Sequence, residues 1–81
     1  MNDLVEKIKE VATSSMPETE KLQQFVNFMA NLKPVDNSMA LISACTYGSS
    51  SAQKSNRPEM EAQFYITRAK SFNYANWYSD S

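Results

Sequence analysis

The sequence predicts an all-α protein, a small bundle of three to four short helices. Apolar residues recur at three- and four-residue spacing, and strand-like alternation is absent. A single glycine stands in 81 residues, with no Asn-Gly or Asp-Gly dipeptide to turn a hairpin. The expected helices span about 3–13, 16–32, 37–47 and 57–78, within one domain covering 1–81.

The first helix is amphipathic. Leu4, Val5, Ile8, Val11 and Ala12 share one side, whereas Glu6, Lys7, Lys9 and Glu10 take the other. Asn2 or Asp3 opens it. In the second, Ser15 and Glu18 have the spacing of a capping box, and Pro17 sits in the first turn, where its missing N–H is harmless. Leu22, Phe25, Val26, Met29 and Leu32 form its buried stripe. Pro34 disfavours helical geometry at Lys33 and ends it.

The third segment, from Asn37 to Gln53, is uncharged. Asp36 or Ser38 would cap a helix containing Met39, Leu41, Ile42 and Cys45. Two readings compete beyond it. Ala40, Ala44, Gly48 and Ala52 recur every four residues, which would let a second helix approach closely. Against that, Gly48 is a helix stop and three consecutive serines propagate helix poorly, so 48–56 is expected to be a loop. The fourth helix opens like the second, with Asn56 three residues before Glu59 and Pro58 in the first turn.

Composition narrows the function. Eight basic and nine acidic residues give a net charge of −1, with a pI near 5.3, which argues against a nucleic-acid binder. Histidine is absent, and Cys45 is the lone cysteine, so neither an intrachain disulfide nor a metal-ligand cluster is expected, and no cofactor is implied. Without histidine, Cys45 has no activating base, and one glycine cannot build a phosphate-cradling loop. An enzyme is not expected. No signal peptide is expected, because Glu6, Lys7 and Glu10 interrupt the N-terminal apolar residues, and no apolar run reaches the roughly 18 residues of a membrane span. A cytoplasmic protein is the expectation, in the host cytoplasm if the gene is viral. Small, acidic, helical chains are common among phage-encoded proteins that bind a host protein, an association of size and composition alone.

The stretch FYITRAKSFNYANWY, residues 64–78, holds six of the nine aromatic residues and no acid. Met60, Phe64, Tyr65, Phe72 and Tyr78 fall on one broad helical face, the expected contribution to the core. Ile66, Tyr74 and Trp77 lie outside that arc. A domain this small cannot bury an all-round apolar helix by itself, so a second surface is left for a partner. The candidate binding residues are Tyr65, Arg68, Lys70, Tyr74, Trp77 and Tyr78. Arg68 stands four residues from Phe64 and from Phe72, where its charge needs an aromatic ring, a phosphate or a carboxylate such as Glu6, Glu10 or Glu18. The expected function is a protein–protein interaction module, an inhibitor, adaptor or assembly subunit, docking on another protein or on a second copy of itself. The alternative is an oligomer that holds an anionic or nucleotide-like small ligand.

Overall fold

Four helices form, joined by three short connections: α1 (Asp3–Thr13), α2 (Glu18–Asn31), α3 (Pro34–Lys54) and α4 (Pro58–Asp80). The computed structural model describes the backbone of residues 3–80 and the side chains of residues 3–73. Among the described residues there is no strand. Nor is any helix among them long and apolar enough to cross a membrane.

The stripes of α1 and α2 meet as their spacing requires. Ile8, Leu22 and Phe25 are buried, with Leu4, Val5, Val11, Ala12, Val26, Met29 and Leu32 packed half-buried around them. Both helices rest on α3, which is the centre of the molecule. Its Ala40, Leu41, Ala44, Cys45 and Ala52 are all buried. The opposite flank of α3 carries α4, which makes its principal contact there. The result is a slab of 41 × 28 × 16 Å. Its smallest dimension is under two helix diameters, so a helix at the margin is covered on one side only.

The predicted loop at 48–56 does not form. α3 runs on to Lys54 through all three serines, and the tertiary surroundings decide this against local propensity. Ser49 Oγ returns its hydrogen bond to the Thr46 carbonyl at 2.9 Å, and Ser51 Oγ donates to Glu18 Oε1 at 3.2 Å. Gly48 lies against Phe64 of α4. A Cβ built on it would meet the Phe64 ring at 2.5 Å, so the glycine marks a close helix–helix approach rather than a stop. The four-residue run of small residues is thus the packing surface.

The stop comes at Asn56, which adopts φ 57°. The Asn56 N–H reaches Gln53 O at 3.2 Å and the Arg57 N–H reaches Ala52 O at 2.8 Å. Those two bonds are the Schellman pattern, with asparagine in the left-handed position usually held by glycine. Asn56 therefore closes α3 instead of capping α4.

Other boundaries shift for local reasons. α2 starts at Glu18, two residues later than expected, with Pro17 at the N-cap position and no side-chain cap. The Ser15–Glu18 capping box does not form: Pro17 rather than Ser15 stands at the N-cap, and Glu18 Oε1 accepts from Ser51. Lys33 is extended, as Pro34 demands, and Pro34 itself opens α3 three residues early. A kink at Asn37 (φ −140°, ψ 47°) separates that first turn from the regular helix, and neither Asp36 nor Ser38 caps it. Met39 is 61 % exposed, because the inward arc belongs to its small neighbours.

Candidate functional site

The inward side of α4 is set by how closely α3 approaches. Phe64 and Ser71 are fully buried, and Met60, Thr67 and Arg68 are half-buried beside them. Ser71 Oγ is satisfied by the Thr67 carbonyl at 2.8 Å. The expected core face is therefore corrected at two positions. Tyr65 and Phe72 are 50 % and 41 % exposed, not buried. The fifth member, Tyr78, lies outside the described side chains. A narrow gap over Gly48 admits one ring, and the smaller Thr67 and Ser71 occupy the rest of the seam.

The outward side is a continuous apolar stripe. Ala62, Tyr65, Ile66, Ala69 and Phe72 are all exposed, and at about 100° per residue they fall within an arc of about 120°. Ile66 is 48 % exposed. Sequence reasoning assigned Phe72 to the core and set Ile66 outside that arc without naming it among the binding residues. The signal that recovers both is their three- and four-residue spacing with the two alanines.

Arg68 borders this stripe. Its guanidinium lies 5.0 Å from the centre of the Phe72 ring, a cation–π contact. Its Nε is buried without a hydrogen-bond partner. The expected ion pair with Glu6, Glu10 or Glu18 is absent. Among the described residues the one pair within 4.0 Å is Arg57–Glu59, and both of its members are exposed. α1, which carries Glu6 and Glu10, packs on α3 and α2 rather than on α4. An aromatic ring replaces the carboxylate as the cation's company.

Beneath Arg68 is Cys45, fully buried on α3. Burial pushes its thiol from 9.0 up to about 11, with the Arg68 charge pulling partly the other way. Tyr65 donates its hydroxyl to Glu61 Oε2 at 2.9 Å. That bond and then the Glu61 charge raise the phenol above its usual range, while Ser49 and Arg68 oppose the shift. Lys70 is exposed, about 200° round the helix from Arg68, so the two cations cannot grip one small ligand. Of the candidate residues the structure thus joins Tyr65 and Arg68, adds Phe72 and Ile66, and sets Lys70 apart. Tyr74, Trp77 and Tyr78 fall on the last turns of α4, outside the described side chains.

A second feature had no sequence signal, because it is assembled from three helices. A cleft of about 140 Å³ opens between the ends of α1 and α3 and the start of α2, lined by Glu18, Lys21, Phe25, Tyr47, Ser51 and Lys54 among others. Phe25 and Tyr47 stack at its wall, with ring centres 6.1 Å apart. Lys21 is already engaged, donating to the Ala12 carbonyl at the C-terminal end of α1 at 3.1 Å. The cleft is smaller than the roughly 300 Å³ at which pockets for drug-sized ligands begin.

Comparison with protein-family models, curated proteins and solved structures returns no match.

Proposed function

We propose that the protein is a helical protein–protein interaction module and that the outer face of α4 is its working surface. One observation carries the reading: Tyr65, Ile66 and Phe72 stay 50, 48 and 41 % exposed in a row on one helix. Surface apolar residues scattered singly are ordinary, but a contiguous stripe marks an interface. Aromatic side chains beside arginine are the residue types that anchor such contacts. The stripe is also dispensable to the fold, since the inward seam of α4 is complete without it.

A photo-crosslinking amino acid at Ile66 tests this in cells of the source. A discrete crosslinked species should form from position 66 and not from the exposed Lys9 on α1. Equal labelling at both positions, or at neither, would refute the assignment of the surface.

A further inference from the structure

Resting on that reading, we infer that the occupant of the α4 face is a second copy of this chain, paired antiparallel through the same helix. Charge placement along α4 selects this occupant. On α4 the acids come first, Glu59 and Glu61, and the cations follow nine residues later, Arg68 and Lys70, about 13.5 Å along the axis. Round the helix, Glu61 and Arg68 flank the apolar stripe on one side, about 20° from each other. Glu59 and Lys70 flank it on the other side with the same small offset.

When two identical helices pair antiparallel about a two-fold axis, each flank meets the same flank of its mate, run in reverse. Glu61 then faces Arg68 of the second copy, and Glu59 faces Lys70. With the axis between residues 65 and 66, each acid lies about 3 Å along the helix from its cation, within reach of long side chains. The same axis sets Ala62 opposite Ala69, where two small side chains let the backbones approach, and brings the Tyr65 side chains of both copies together on one flank and their Ile66 side chains together on the other. Parallel pairing brings opposite flanks together at equal height, so Glu61 would face Glu59, and Arg68 would face Lys70. Both contacts are repulsive. The charge pattern therefore selects both the occupant and its direction.

The area sets the strength. Exposures of 50, 48 and 41 % on Tyr65, Ile66 and Phe72 leave roughly 300 Å² of these side chains uncovered per copy, at about 200 Å² each. Two copies cover roughly 600 Å² from these residues, and the rim adds to that. Such a contact belongs to the small, transient class below about 1,200 Å², with a dissociation constant of about 10–100 µM.

Sedimentation equilibrium on the wild type, Glu59→Lys and Lys70→Glu tests the pairing. Both positions are exposed, so the fold is preserved, and unchanged circular dichroism verifies it. Each single variant should weaken self-association by at least about 10-fold, because two attractive pairs become repulsive. An equimolar mixture of the two variants should recover it. Mixed Ala62→Cys and Ala69→Cys chains, oxidised together, should give the 62–69 disulfide between copies. Predominant 62–62 and 69–69 products would overturn the antiparallel arrangement. A wild type that stays monomeric to millimolar concentration would overturn self-pairing altogether. In that case an adduct to a different chain from position 66 would leave the docking face standing, and the absence of any adduct would remove that reading as well.

Discussion

Replacing Gly48 by alanine decides whether α3 and α4 touch as closely as described. A β-carbon at that position would lie 2.5, 2.6 and 2.8 Å from Cε1, Cζ and Cδ1 of Phe64. Carbon atoms prefer about 3.5–4.0 Å, so the ring must retreat by about 1 Å. It has no room to do so, being fully buried against Gly48 and its neighbours. Overpacking of this kind costs about 1–3 kcal/mol. Alanine returns about 1 kcal/mol as the better helix former. The net is a loss of up to about 2 kcal/mol, which for a domain of this size lowers Tm by up to roughly 15 °C. Thermal and urea unfolding followed by circular dichroism at 222 nm reads it. Gly48→Ala combined with Phe64→Leu should be less destabilised than the two single losses added, because the smaller side chain frees the space. A Gly48→Ala variant more stable than the wild type by about 1 kcal/mol refutes the packing, since that is the gain helix propensity alone predicts.

The remaining predictions concern the buried thiol and the end of α3. Cys45 should react slowly with a thiol reagent at pH 8 in the native protein and quickly once unfolded, since its thiol is buried and titrates near 11. The unfolded thiol ionises first, near 9.0, so this contribution to stability is whole below pH 9 and is lost between pH 9 and about 11. Urea titrations across that range check it. Asn56→Gly should raise stability by up to about 1 kcal/mol and Asn56→Ala should lower it by about 1 kcal/mol, because only the former relaxes a positive φ. Opposite signs in equilibrium unfolding are the expected result.

The amphipathic stripes of α1 and α2 were legible in the sequence because each helix is buried along a single face, and a single face leaves one periodic trace. α3 was harder. It is buried by α1 and α2 on one side and by α4 on another, so its inward residues form a wide arc with little periodicity. Locally, Gly48 and the three serines read as a stop; in the fold they make the surface on which Phe64 rests. Only the ring across the interface tells these apart, and that contact is separated by sixteen residues of chain. Phe72 was misplaced for a related reason. Helical arithmetic offers two apolar arcs on α4, and aromatic content favours the larger. A close approach over Gly48 selects the arc with Thr67 and Ser71, and the larger rings are turned outward. The apolar surplus of the C-terminal segment was legible all the same, and it is what leaves Tyr65, Ile66 and Phe72 available to a partner.

The central claim, that the outer face of α4 pairs with a second copy of the chain and is not misassigned core, is tested most directly by amide chemical shifts on dilution. Proton–nitrogen correlation spectra recorded from about 1 mM down to about 20 µM bracket the expected dissociation constant. Shifts confined to residues 59–73, with α1 and α2 unmoved, are the predicted result. Shifts centred on Ile8, Leu22 or Phe25, or spectra identical at every concentration, would contradict it.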